Sequence, residues 1–261
     1  METIRIVTDA RGVATLYLAR PEKRNAMSAT MIAELTEAAS RLGADDAVRG
    51  VVLAAEGDVF CAGGDLGWMR EQMAADQASR RREALALAMM LKSLNELPKP
   101  LIGRVHGNAF GGGLGLISVC DVAVSANKVS FALTETRLGL IPATIGPYVV
   151  ARLGEGASRQ VFMSGRLFDA DEAIRLGLIR RSVAEDGLDA AVEEEVAPYL
   201  DCAPGAVAEA KALVRSLGSG PGLAEIEASV DALVSRWESD EAREGTEAFF
   251  AKRKARWMRP A

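Results

Sequence analysis

Three consecutive glycines, Gly111, Gly112 and Gly113, stand between two apolar runs, and they limit what this chain can form more than any other stretch. One run spans Pro100 to Val105; the other ends at Cys120-Asp121. An apolar segment, a turn of small residues and a second apolar segment read as buried strand, tight turn and buried helix. Glycine in such a turn permits positive φ and lets another group approach the backbone closely. The helix beyond leaves its first amide N–H groups without intrahelical partners, so the turn can hold developing negative charge. The plainer reading is that the glycines only let helix and strand pack closely. A dinucleotide or phosphate site does not fit: the stretch lacks G-x-G-x-x-G spacing, and G-x-x-x-x-G-K-[ST] occurs nowhere.

A second turn of the same kind lies upstream. The apolar run Gly50 to Ala55 predicts a buried strand and leads into Phe60-Cys61-Ala62-Gly63-Gly64-Asp65-Leu66, where Asp65 suits a helix N-cap. Two glycine turns at strand–helix junctions can aim two backbone N–H groups at one oxygen.

The remaining chain follows the same alternation. Ile4 to Val7 and Val13 to Leu18 predict paired strands. Ser28 predicts the N-cap of a helix whose apolar positions are Met31, Ile32, Leu35, Ala38, Ala39 and Leu42. Ala74 to Leu97 predicts one helix, ended by Pro98 and Pro100, with Arg80, Arg81 and Arg82 on a solvated face. Strands are expected at Val122 to Ser125 and Val129 to Ala132, and helices at Ile145 to Leu153 and Ala157 to Ser164. Asp169 with Glu172 reads as a capping box. Beyond about Ala184 the pattern is helical, with breaks at Pro204-Gly205 and at 218–222. Strand–helix units followed by helices give an α/β core over 1–200 and a helical region over 201–261. No internal repeat is strong enough to use.

Candidate chemistry is narrowed by what is scarce. The 261 residues include one histidine, His106, at a strand end where a structural role is the plainer one, and no G-x-S-x-G elbow occurs. The three cysteines, Cys61, Cys120 and Cys202, are odd in number and lack metal-ligand spacing, so neither a disulfide framework nor a metal site is indicated. A net charge of −5 argues against nucleic acid as a partner. No apolar run is long enough to cross a bilayer and the first residues lack a signal-peptide shape, so the expected location is cytoplasmic. An acid–base group is then expected to be a carboxylate. Glu135 lies in a loop-like stretch flanked by apolar residues, where desolvation would raise its pKa. From spacing alone, a Glu135–Arg137 surface pair is the plainer reading.

Taken together these residues resemble the crotonase family, the enoyl-CoA hydratase/isomerase superfamily. The likeness runs over nearly the whole chain: Arg20 to Met27, Phe60 to Leu66, Gly107 to Gly113, Asp121, Phe131 with Glu135 and Gly139, and Glu244-Gly245 through Phe249 to Lys254. The resemblance implies a spiral of ββα units with a C-terminal helical region that packs against neighbours in a homotrimer or a dimer of trimers. It implies an acyl-CoA thioester substrate, with no separate cofactor. By motif position it implies that the backbone N–H groups of Gly64 and Gly112 form an oxyanion hole. Lys23, Arg24, Ala26, Ala62, Asp65 and Leu66 would lie along the CoA moiety. Phe249 and Lys252 match positions that reach the CoA of an adjacent subunit.

One departure matters. Hydratases of this family hold a water between two glutamates; Glu135 matches one, and Gly115 stands where the other would be. Two activities therefore compete. One is hydration with Glu135 alone, in a chain similar to a methylglutaconyl-CoA hydratase-type subgroup that acts on branched, carboxylated enoyl-CoAs. The other is Δ3,Δ2-enoyl-CoA isomerisation, with Glu135 as a single proton shuttle. An RNA-binding relative and a Rossmann oxidoreductase fit the residues less well.

Overall fold

The computed structural model describes residues 1–218 and 220–258. Alternating residues build an antiparallel hairpin of β1 (Ile4–Thr8) and β2 (Val13–Leu18), with Ile4 opposite Leu18. Ser28 accepts from the Met31 N–H to cap α1 (Ala29–Ala44), and all six expected apolar positions are buried.

A pattern then recurs. β3 (Gly50–Ala55) and β4 (Val59–Cys61) precede α2 (Leu66–Ala74) and α3 (Gln77–Asn95). β5 (Leu101–Val105) and β6 (Asn108–Phe110) precede α4 (Gly112–Ser118). β7 (Val122–Ala126) and β8 (Ser130–Ala132) precede the 3₁₀ turn Glu135–Leu138. The chain continues through α5 (Gly146–Leu153), α6 (Glu155–Phe162), β9 (Phe168–Asp169), α7 (Ala170–Arg175) and β10 (Arg181–Val183). It closes with α8 (Leu188–Leu200), α9 (Pro204–Leu217), α10 (Leu223–Trp237) and α11 (Asp240–Phe250).

The first strand of each pair joins a six-stranded sheet in the order β1-β2-β3-β5-β7-β10. The second joins a four-stranded sheet in the order β4-β6-β8-β9. Each ββ unit thus advances both sheets by one parallel strand, which is a spiral. β3 is buried at every residue, as a parallel strand covered on both faces must be.

Several expectations are corrected. The helix expected over Ala74 to Leu97 is α3 and begins later: α2, capped by Asp65 as expected, ends at Ala74, and Asp76 caps α3 by accepting from the Ser79 N–H. Arg82 is exposed, as expected of a solvated face, but Arg80 and Arg81 are engaged with another helix. The Arg80 guanidinium lies 5.8 Å from the Trp237 ring and pairs with Glu238, while Arg81 pairs with Asp231 at 2.9 Å, so both tie α3 to α10. At α7, Asp169 accepts from the Glu172 N–H, but Glu172 turns to Arg166 instead of closing a capping box. Pro204 opens α9 at its first turn, where its missing N–H costs nothing.

Past residue 201, α10 and α11 pack on the core. α10 buries Ile226, Val230 and Val234 and contacts α3, and α11 seats on the Glu135–Leu138 turn.

Candidate active site

Both glycine turns open on one cavity of about 600 Å³. At the first, the Met27 N–H donates to the Gly63 carbonyl at 2.8 Å, and the Asp65 N–H donates to the Met27 carbonyl at 2.9 Å. This bridge engages the groups on either side of Gly64 and turns its own N–H away from Met27. At the second, the Gly111 N–H donates to the Ala132 carbonyl at 2.9 Å, and Gly112 is the first residue of α4, where an N–H has no intrahelical partner. Gly64 and Gly112 both line the cavity. Side chains are excluded here for a packing reason: a Cβ on Gly112 would overlap the Met27 methyl.

Glu135 lines the same cavity from the 3₁₀ turn after β8. Its Oε2 is out of contact with solvent and has no hydrogen-bond partner, and the surface pair with Arg137 is not formed. Burial pushes its pKa from 4.5 up to about 7, opposed only by its own backbone N–H. Gly111 makes room for it: at φ 49° this residue has no Cβ, and a Cβ there would stand 2.8 Å from Glu135 Oε1. The glycine run therefore frees an N–H and admits a carboxylate in adjacent residues. Glu135 is the only carboxylate among the described residues of the cavity wall.

The position expected to carry a second glutamate is closed. A Cβ on Gly115 would lie 2.6 Å from Ile145 Cγ2 and 3.4 Å from Leu91 Cδ1, so Ile145, itself on the cavity wall, fills that space.

The other expected site residues separate into two groups. Ala62, Leu66, Phe249 and Lys252 line the cavity together with Gly64, Gly112 and Glu135. Phe249 and Lys252 do so within their own chain. Lys23, Arg24, Ala26 and Asp65 are not among its lining residues. The first two are exposed at its edge, where the Arg24 carbonyl accepts from the Ala62 N–H at 3.0 Å. Ala26 is buried, and its carbonyl accepts from Arg20. Asp65 caps α2 by accepting from Gly67 and Trp68, and pairs with Arg20 at 3.2 Å.

Residues the sequence did not single out support this edge. Asn25 is fully buried at φ 52°; its amide donates to the Glu56 and Val59 carbonyls at 2.7 and 2.8 Å, and its Oδ1 accepts from the Arg20 N–H. Asparagine tolerates the left-handed region better than most residues, and that signal was available. Trp68, Trp237 and Phe110 make much of the wall apolar. His106 has the structural role expected of it, with Nε2 2.6 Å from the Gly57 carbonyl. Cys61 and Cys120 are buried, and desolvation pushes both thiols up to about 12, so neither is poised as a nucleophile.

Among the described residues no partner engages the Gly64 or Gly112 N–H, and these two groups share an apolar cavity with the desolvated Glu135 carboxylate on a spiral of ββα units. Such a fold and site suit proton transfer beside a developing oxyanion. Residues 8–260 match the enoyl-CoA hydratase/isomerase family, and the chain belongs to that family of enzymes. It is similar to Enoyl-CoA hydratase ACTT6 of Alternaria alternata, with 32% identity over 80% of this chain and 68% of that protein. Solved structures agree. An enoyl-CoA hydratase from Mycobacterium avium superposes with a TM-score of 0.87 at 32% identity, covering 99% of this chain and 100% of that one. One from Shewanella pealeana gives 0.80 at 35% identity, covering 98% and 96%.

Proposed function

We propose that this protein is an enoyl-CoA hydratase, adding water across, or removing it from, the 2,3 double bond of an acyl-CoA thioester. The observation that carries the reading is the placement of Glu135, desolvated and unpartnered, on the same cavity as the Gly64 and Gly112 N–H groups. The names of the relatives support hydration over isomerisation.

In the hydration direction, the thioester carbonyl accepts from the Gly64 and Gly112 N–H groups. Glu135 takes a proton from water as its oxygen bonds to C3, and the π electrons move to the carbonyl oxygen as an enolate. The enolate then collapses and C2 takes the proton that Glu135 received, which returns Glu135 to its carboxylate form, so one water is consumed and no redox change occurs. Each oxyanion donor is worth about 2.7–4 kcal/mol of transition-state stabilisation. With a pKa near 7, Glu135 can accept and return a proton at neutral pH.

Ala62, Leu66, Phe249 and Lys252 would lie along the CoA moiety inside the cavity, and Lys23 and Arg24 would meet it at the edge. Ala26 and Asp65 would act there through the backbone and capping bonds that shape the loop. A branched or carboxylated acyl chain, of the methylglutaconyl type, is the substrate we favour. No separate cofactor takes part, and the working unit is a homotrimer or dimer of trimers in the cytoplasm.

The single carboxylate supports a second reading, Δ3,Δ2-enoyl-CoA isomerisation, because moving one proton between carbons needs only one base. The purified protein in ¹⁸O water, given crotonyl-CoA, 3-methylglutaconyl-CoA and a 3-enoyl-CoA, separates the two. Label in a 3-hydroxyacyl product is the expected result; a shifted double bond with no label would replace hydratase by isomerase.

A further inference from the structure

Glu135 Oε2 has no partner of its own, so the direction in which the carboxylate points is set by the turn that carries it. That turn is held from outside the spiral. Its closing residue is Gly139, at φ 70°, whose N–H donates to the Thr136 carbonyl at 3.2 Å; next to it, the Leu140 N–H donates to the Glu135 carbonyl at 3.0 Å. Arg236, near the end of α10, donates from Nε to the Gly139 carbonyl at 2.7 Å and pairs through its other arm with Glu241. Among the described residues this is the only side-chain hydrogen bond onto the backbone of 134–139. α11 presses on the same turn from close range: a Cβ on Gly139 would overlap the Glu241 backbone, and one on Gly245 would overlap the Leu138 carbonyl.

We propose that Arg236 is a positioning residue for this active site: by holding the Gly139 carbonyl it fixes the turn that aims Glu135 at the cavity. The inference rests on the reading of Glu135 as the acid–base group. Physically, the spiral supplies β8 and the Gly111 gap on one side of the carboxylate, and Arg236 supplies the fixed point on the other. A hydrogen bond at 2.7 Å restricts movement of Gly139 relative to α10, and that restriction passes through four residues to Glu135. The charged groups around the turn are Arg137 on the turn itself, Arg236 on α10, and Glu241 and Glu244 on α11, with Arg253 paired to Glu244 and Lys252 beyond. Phe110, Gly111 and Gly112 on the opposite wall bring no charge.

The test is Arg236→Gln, with Arg236→Lys and the double variant Arg236→Gln/Glu241→Gln, each confirmed as folded by its melting temperature. Misplacing a catalytic group by an ångström costs on the order of 10²-fold, so kcat of Arg236→Gln should fall about 10- to 100-fold with KM within about threefold of the parent. Arg236→Lys, which keeps a donor and a positive charge, should recover most of the loss. The double variant, which leaves no unpaired carboxylate beside the turn, should not. The pH profile of kcat should shift its acidic limb downward as water reaches Glu135, and amide exchange over residues 135–140 should speed up. Unchanged kcat and pH profile in folded Arg236→Gln, with unchanged exchange over 135–140, would overturn the proposal. The exchange measurement does not depend on turnover. If Glu135→Gln stayed active, the acid–base assignment would fall, and exchange alone would decide whether Arg236 fixes the turn.

Discussion

At the scale of single residues, the site depends on a carboxylate held where water cannot solvate it. A folded-state pKa of about 7 against 4.5 means that the folded protein binds the proton more tightly than the unfolded chain. Stability from this group is full below pH 4.5 and declines as pH rises through 7, by about 3 kcal/mol in total. Glu135→Gln carries no such dependence. The variant should lose about 10²- to 10⁴-fold in kcat. Chemical unfolding at pH 8 should nonetheless show it more stable than the parent, with the difference vanishing near pH 4.5. Gly111→Ala attacks the same group from the other side, since its Cβ would stand 2.8 Å from Oε1 at a φ of 49°. Its kcat should drop on the order of 10²-fold, with a smaller change in KM, because the carboxylate must move while the CoA contacts remain.

At the scale of elements, glycine sets how closely helices approach the turns. α11 reaches the Glu135 turn because Gly245 has no side chain, and Gly245→Ala would push its Cβ into the Leu138 carbonyl. Overpacking of this kind costs about 1–3 kcal/mol, which a urea midpoint would register. α2 depends on its cap. Asp65→Ala removes acceptors for the Gly67 and Trp68 N–H groups and leaves Arg20 without its ion-pair partner, so a loss of about 1 kcal/mol or more is expected in the same measurement. α2 was legible in its cap, Asp65, and not in its apolar spacing. Apolar spacing shows a helix wherever one face is buried, but α2 buries only Gln72, so its spacing carried no signal.

At the scale of the molecule, the helical region past 201 is tied to the core by buried contacts and not by a linker alone. Ile226, Val230 and Val234 are removed from water against α3, each worth about 1.5–3 kcal/mol, and Arg80 and Arg81 cross to α10. Unfolding in urea should therefore be one transition, with tryptophan fluorescence (Trp68, Trp237, Trp257) and far-ultraviolet circular dichroism coinciding. Two separated transitions would mean that 1–200 and 201–261 unfold independently.

The sequence by itself determined the local elements: the β1–β2 hairpin, the buried face of α1, and both glycine turns with their flanking strands. Each of these rests on short-range periodicity and backbone permissiveness, which neighbouring residues decide. It offered Glu135 as a candidate, since apolar residues nearby can desolvate a carboxylate, but spacing alone favoured a surface pair with Arg137, and the family resemblance singled Glu135 out. The spiral entered only through the family resemblance and was not legible in periodicity. Its repeat lies in which sheet each short strand enters, and β4, β6 and β8 are only three residues long, too short to carry a pattern. Nor could spacing show that Glu135 avoids Arg137, that Ile145 fills the space beside Gly115, or that Arg236 reaches Gly139 across 97 residues. Those relations arise only when distant segments share one packed volume, and they decide which carboxylate is desolvated and what holds it there.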